Sequence, residues 1–282
     1  MAVVNDVKKS ALCIFRENNI ESAEADCCEI LKKVLSLDRI GLITHQNDPV
    51  SDKSYNDIMS MINRRINGEP IQYIIGSWSF LGHEYFVGEG VLIPRDDTQV
   101  VLEKAFDFMR TNKCKNALDL CSGSGIIAVS IKLKYKNCSV FAVEKSKQAF
   151  EYLIKNAEKN NADINAVCAD LNDCAQEFGN DFFDIIVSNP PYIKTEDIEK
   201  LQKEISFEPR LALDGGKNGL CFYKIIIDLY TKKLKSGGML AFEIGEDQAE
   251  PVSKLLMLNG YRNIEIFKDI QGLDRAVTAI KN

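Results

Sequence analysis

The chain has 282 residues, which at about 150 residues per domain is length for two domains, or for one large domain with an appendage. Lys and Arg number 35 against 41 Asp and Glu, a net charge of −6, and such a balance argues against a protein held to nucleic acid by basic surface. Hydrophobic residues make up 45% and charged residues 27%, the proportions of a globular rather than a disordered chain, and no apolar run approaches the roughly 18–20 residues of a membrane span.

The first 18 residues lack a signal peptide's order of charge, apolar core and small-residue cleavage site, so a cytoplasmic protein is expected. Residues 1–75 are predicted to form a helical domain. Val7, Ala11, Ile14 and Phe15 share one helical face. Cys27, Leu31, Val34 and Leu35 do the same, behind a Ser22 able to cap. Tyr55, Ile58, Met59, Ile62 and Ile66 make a third stripe, closed by Gly68 and Pro70. These stripes predict core rather than ligand contacts. Residues 76–93 turn rich in Gly and aromatics, with Leu81-Gly82 between two β-prone runs, and predict a hairpin connector.

From there to residue 282, apolar strands alternate with helical patterns. The expected strands are Ala117–Leu120, Ser139–Glu144, Ala166–Ala169, Phe183–Val187, Met239–Ile244, Asn263–Phe267 and Ala276–Ile280. Helices are expected near 124–135, 146–160, 219–235 and 247–258. This alternation predicts an α/β fold with a parallel, doubly wound sheet covered on both faces.

Cysteine and histidine restrict the chemistry. The nine Cys include no CxxC pair, and the two His, His45 and His83, are isolated in sequence. Neither a zinc site nor a histidine triad is supported by that spacing, so the expectation is chemistry without a metal or a histidine base.

The run Ala117-Leu-Asp-Leu-Cys-Ser-Gly-Ser-Gly125 follows the first of these strands and opens a helix. Gly123 and Gly125 permit a tight turn and close approach to a ligand, and the free N–H groups of the helix start face an anion. Glu144 ends the next strand, roughly 20 residues beyond the glycines, where a carboxylate accepts from both hydroxyls of a ribose. An adenosine-bearing cofactor is the natural occupant, and NAD stays open because the spacing also fits a dinucleotide fingerprint. Asp119 is placed either to meet the amino group of an amino-acid-containing cofactor or to serve as a helix-end partner. Asp170 ends the third strand on the same edge, near an adenine amine, with Leu171 beside it to pack on the ring.

Asn189-Pro190-Pro191-Tyr192 ends a buried strand at that edge. Two prolines stiffen the turn and remove two backbone donors. What is left presents acceptors, the Asn189 side-chain oxygen and the Pro190 carbonyl, with the aromatic face of Tyr192. Such a corner suits a planar group carrying NH₂. An amide nitrogen is a poor nucleophile because its lone pair is delocalised. Accepting both N–H bonds raises its electron density, and holding it on the attack line lowers the barrier without a strong base.

Together these stretches resemble an S-adenosylmethionine-dependent methyltransferase of the Rossmann-like class, and more narrowly the HemK/PrmC family of peptide chain release factor glutamine methyltransferases. The resemblance runs through Gly68–Gly76, Val91–Arg95, Leu118–Gly125, Val187–Ile193 and Phe207–Gly215. It implies a seven-stranded methyltransferase sheet and an N-terminal helical domain that docks the protein substrate. It also implies methylation of the glutamine amide in the Gly-Gly-Gln loop of release factors. Carried over by position, it implies that Asp119, Cys121, Ser122, Gly123, Ser124, Gly125 and Glu144 bind the cofactor, with Asp170 and Leu171 near adenine. Arg95 and Thr98 would lie beside the methionine portion. Asn189, Pro190, Pro191 and Tyr192 would hold the glutamine amide, with Asn189 also touching the cofactor. Where the family usually has Pro-Arg-Pro-Glu/Asp-Thr-Glu, this chain has Pro94-Arg-Asp-Asp-Thr-Gln99, and Glu144 replaces the commoner Asp. Other readings of the tetrapeptide are methylation of a ribosomal-protein glutamine or of a nucleic-acid amine such as adenine; the acidic balance weighs against stable nucleic-acid binding. A monomer is expected.

Overall fold

The computed structural model describes residues 2–282. The chain forms two compact units, one running through Ser77 and taking in Gln202–Phe207, the other comprising Trp78–Leu201 and Glu208–Asn282. That 202–207 belongs with the first unit was not foreseen from the sequence.

The first unit is helical: α1 (Val4–Glu17), α2 (Ala23–Leu35), α3 (Arg39–Thr44), α4 (Asp52–Ile66) and α5 (Ile71–Ile75). The predicted stripes bury Val7, Ala11 and Phe15 of α1, Cys27 and Leu31 of α2, and Ile58 and Ile62 of α4. Ser22 does sit at the start of α2, but its hydroxyl donates to Asp26 at 2.7 Å instead of capping the helix. Asp26 is committed in turn to Arg65, whose Nε donates to it at 2.6 Å in a buried ion pair; Arg65 Nη1 reaches Glu204 at 3.1 Å.

Next comes a hairpin, β1 (Ser77–Phe80) and β2 (His83–Phe86), all but Ser77 of it in the second unit. Then follow α6 (Thr98–Asn112), β3 (Asn116–Leu120), α7 (Ile126–Lys134), β4 (Ser139–Glu144), α8 (Lys147–Lys159), β5 (Ile164–Cys168), α9 (Leu171–Cys174) and β6 (Phe183–Ser188). After three short 3₁₀ turns between residues 195 and 212 come α10 (Cys221–Tyr230), β7 (Leu234–Glu243), α11 (Ala249–Leu258), β8 (Tyr261–Lys268) and β9 (Asp274–Lys281). The sheet is seven-stranded in the order β5-β4-β3-β6-β7-β9-β8.

The expected parallel sheet holds from β5 through β7 and is departed from at one strand. β9 lies antiparallel between β7 and β8. Only a short turn joins β8 to β9, held by Asp269 accepting from the Gln271 and Leu273 N–H groups, and a parallel crossover needs a dozen residues or more. Helix α6 was not among the expected helices. Both faces of the sheet are covered. One core gathers Leu102, Ile127, Val140 and Ile185, the other Leu118, Ile186, Ile226 and Phe242. Among the described residues no helix is long and apolar enough to cross a membrane.

Candidate active site

β3 and β6 are parallel neighbours with Leu120 opposite Ser188. The Ser188 hydroxyl donates to the Leu120 carbonyl at 2.6 Å and pins that pairing. The chain therefore leaves the sheet at Cys121 and at Asn189 side by side. Two cavities meet there. The larger, about 310 Å³, is lined by Glu144, Asp170, Leu171 and Pro191, with an apolar wall of Leu211, Phe222 and Ile225. The smaller, about 30 Å³, is lined by Arg95, Thr98, Ser122 and Ser124. Cys121, Gly123 and Asn189 line both.

The glycine loop is organised by carboxylates. Glu144 accepts from the Gly123 N–H at 2.8 Å and from the Ser146 N–H at 2.6 Å. Burial raises its pKa against the lowering effect of those N–H groups. Each of its oxygens keeps a further lone pair for a hydroxyl. Asp119 lies beneath the loop, fully buried, accepting from Ala128 N–H at 3.1 Å in the first turn of α7. Its Oδ1 has no partner, and burial pushes its pKa up to about 8. It lines neither cavity, so of its two expected roles the helix-end partner is the one its contacts display. Gly125 also lines neither: it begins α7 at φ 82°, and a Cβ there would lie 3.0 Å from Leu153 Cγ. The expected anion site of free N–H groups is thus partly filled. Two of the donors a pyrophosphate would use already serve Glu144 and Asp119, which counts against a dinucleotide.

At the cavity edge Asp170 caps α9. Its Oδ1 accepts from Asn172 N–H at 2.8 Å and its Oδ2 pairs with Lys145 at 2.9 Å, and chiefly the Asn172 N–H, then Lys145, hold its pKa down to about 2. Arg95 forms an ion pair with buried Glu208, which also accepts from Ile93 N–H at 3.0 Å.

Asn189 donates through Nδ2 to Thr98 Oγ1 at 3.3 Å, and Thr98 donates to Glu243 Oε2 at 2.7 Å. The hydroxyl of Thr98, expected beside a methionine, is therefore committed to a buried carboxylate. Tyr192 donates to the other oxygen of Glu243 at 3.4 Å. Pro190 and Pro191 are buried, and Pro190 lines neither cavity. Gly215 packs against the corner so closely that a Cβ would fall 2.7 Å from Tyr192 Cα.

Two family models match the chain: "PrmC N-terminal domain" over residues 6–76 and "Methyltransferase small domain" over 97–216. The chain is 38% identical over 267 residues to the release factor glutamine methyltransferase of Thermodesulfovibrio yellowstonii, covering 94% of this chain and 93% of that one. It is 36% identical over 281 residues to that of Clostridium acetobutylicum, covering 99% and 98%. The chain belongs to the release factor glutamine methyltransferase family.

Solved structures agree with a Rossmann-like methyltransferase fold. A methyltransferase from Pyrococcus furiosus matches with TM-score 0.51 at 19% identity, over 82% of this chain and 100% of that one. The hMettl16 catalytic domain matches with TM-score 0.56 at 16% identity, over 82% and 83%. At such identities the likeness is one of fold.

Within this family member, the altered loop has a local explanation. Gln99 lines neither cavity and donates to Glu103 along α6 at 2.7 Å, and Asp97 pairs with Arg275 at 3.2 Å. Several residues that shape the site escaped the sequence analysis as individual residues. Glu243 ends β7 and Gln248 lies on the turn that follows, Glu208 braces Arg95, and buried Asn156 ties the hairpin to the glycine loop through Phe86 and Ser124. Glu208 and Gly215 at least fall within a stretch that carried the resemblance. Nothing comparable marked Glu243, Gln248 or Asn156.

Proposed function

We propose that this chain transfers a methyl group from S-adenosylmethionine to the side-chain amide nitrogen of a glutamine, that of the Gly-Gly-Gln loop of peptide chain release factors. Family membership supports the reaction. The observation that carries the site assignment is the place of Asn189, on the seam between the two cavities with its NH₂ turned to Thr98 and its Oδ1 uncommitted among the described residues.

The residues present fit the cofactor. Glu144 would accept from the ribose hydroxyls, and Leu171 with the apolar wall would hold the adenine. Arg95, at the smaller cavity, would meet the methionine carboxylate. When bound, S-adenosylmethionine supplies an electrophilic methyl carbon on a sulfonium. The seam at Cys121, Gly123 and Asn189 is where that carbon would face the substrate. Asn189 Oδ1 and the Pro190 carbonyl accept the two N–H bonds of the glutamine amide, Tyr192 packs on its plane, and the nitrogen lone pair is left aimed along the seam. Positive charge would grow on nitrogen as it takes up the methyl group that the cofactor's sulfonium would release. The two acceptors stabilise that charge. Proton loss from the nitrogen completes the methylamide.

The helical unit, with an open groove lined by Met59, Arg64 and Phe207, would dock the protein substrate. A substrate that works with ribosomes goes with a cytoplasmic enzyme, which is part of the same proposal. A nucleic-acid amine is not favoured, because the tetrapeptide alone is shared with adenine methylation. The test is transfer of radiolabelled methyl to release factor, ribosomal protein, DNA and RNA side by side. Labelling of release factor that vanishes when its loop glutamine is replaced by alanine is expected; labelling of DNA, or of none of the four, would overturn the reading.

A further inference from the structure

Glu243 is 1% exposed and lines neither cavity, yet its two oxygens serve Thr98, which lines the smaller cavity, and Tyr192 of the proline corner. The directions of these hydrogen bonds form a chain. An ionised carboxylate has no proton to give, so Thr98 must spend its single proton on Glu243. The Thr98 oxygen then offers only lone pairs. Asn189 can meet it only with its NH₂ group, which leaves Oδ1 for the amide of the substrate. With the chain reversed, Thr98 would donate to Asn189 Oδ1, and a donor would face the substrate's N–H bonds where an acceptor is required. From the turn that follows β7, Gln248 Nε2 donates to the Tyr192 carbonyl at 2.9 Å, and its Oε1 accepts from Gly245 N–H at 3.0 Å. The end of β7 and the turn after it thus grip Tyr192 at phenol and backbone.

We propose that Glu243 is a positioning residue that sets the orientation of the Asn189 amide through Thr98, and with Gln248 fixes the stance of Tyr192. The inference deepens the function proposed above and rests on Asn189 receiving the substrate amide. The groups that face Glu243 are Thr98 and Asp97 at the start of α6, Arg275 on β9, Tyr192 after β6, and Tyr223 of α10, whose hydroxyl donates to the Glu243 backbone carbonyl at 3.0 Å. Burial is the largest influence on its carboxyl and, with Asp97, raises the pKa to about 7 over the lowering effects of Thr98, Arg275 and Tyr192. Ionised Glu243 is the form that enforces the direction, so kcat should rise with pH through that value.

The test compares wild type with Glu243→Gln, Thr98→Val and Thr98→Ser. Glutamine can donate where glutamate cannot, and Val keeps the shape of Thr without its hydroxyl. In Glu243→Gln and Thr98→Val, kcat toward release factor is expected to fall on the order of 10- to 100-fold, with KM for release factor changing less than about threefold. Thr98→Ser should stay within about threefold of wild type throughout. The rise of kcat near neutral pH should be present in wild type and absent in Glu243→Gln. A readout without turnover is the NMR signal of the Asn189 side-chain amide in cofactor-free protein. Its protons should be protected from exchange in wild type and Thr98→Ser, and lose that protection in Thr98→Val. Wild-type kcat in both Glu243→Gln and Thr98→Val, an unchanged pH profile in Glu243→Gln, or unaltered Asn189 protection in Thr98→Val would overturn the inference. If wild type labels no release factor while the NMR pattern holds, the proposed substrate fails and the orientation of Asn189 stands.

Discussion

The two corners at the ends of β3 and β6 are neighbours built on opposite chemical plans. The corner after β3 is rich in backbone donors: glycines let the chain turn, and Glu144 and Asp119 gather the N–H groups that the turn exposes. The corner after β6 has had donors removed by two prolines, and its polarity is set by side chains, Asn189 answering to Thr98 and Glu243. The first plan suits a ligand with hydroxyls to offer, the second a ligand with N–H bonds to offer. Damage to the first should therefore appear in cofactor affinity, and damage to the second in turnover.

The strongest way to break this contrast is Asn189→Ala. Loss of the acceptor for the reacting amide should lower kcat on the order of 10³-fold, while the cofactor dissociation constant, measured by calorimetry, rises less than about tenfold. Collapse of cofactor binding with normal turnover at saturation would show the corners are not separate. Glu144→Ala tests the other side. A lost hydrogen bond to a charged group is worth about 1.5–3 kcal/mol, so affinity should fall on the order of 10- to 100-fold with kcat at saturation little changed.

Acidity offers a subtler comparison. Glu243 and Asp119 have folded-state pKa values of about 7 and about 8, both raised chiefly by burial. Each binds its proton more tightly folded than unfolded, so each favours the fold most below its unfolded pKa near 4, and that stability is lost as pH rises through the folded value. Asp170, held down to about 2, does the reverse: its contribution is present above the unfolded pKa and is lost as pH falls toward 2. Urea midpoints of wild type against Glu243→Gln should therefore shift in favour of the variant between pH 4 and pH 7, with wild-type turnover improving only at the upper end of that window. A difference in midpoint that stays flat across this window would remove Glu243 from the argument.

The smallest effect is expected where the substrate corner stops. Gln99→Glu restores the acid usual in the family but points along α6 toward Glu103, so it should cost a few tenths of a kcal/mol from like-charge repulsion. Turnover should stay within about twofold, and a larger gain would place residue 99 inside the site.

Much of this architecture was written in local pattern. The strands that deliver Glu144 and Asn189 are short, largely buried apolar runs such as Ile185–Val187, and the half-exposed edge strand β5 brings Asp170 to the same edge, all without reference to distant residues. Helix α6 has a readable stripe in Val101, Leu102, Ala105 and Met109, but it begins inside a loop-like motif that masks its start. Glu243 was hidden for a different reason. A glutamate at a strand end is ordinarily solvated, and this one is buried through Thr98, 145 residues away in sequence. Asn156 is similar: an asparagine on an amphipathic helix looks like surface until the hairpin it serves, 70 residues earlier, closes on it. Polar residues whose partners lie far along the chain leave no periodic trace.

The pairing of Leu120 with Ser188 works as a gauge block between two tools. Adjacent strands stand about 4.8 Å apart whatever side chains they carry, so the offset between the roots of the two loops is machined into the ladder and is indifferent to changes in either loop. A protein engineer could refashion the residues beyond Ser188 to admit a different amine and keep the methyl source where it was. The same ladder limits such tinkering, because an acceptor group needing a longer reach would have to be accommodated by the loop alone.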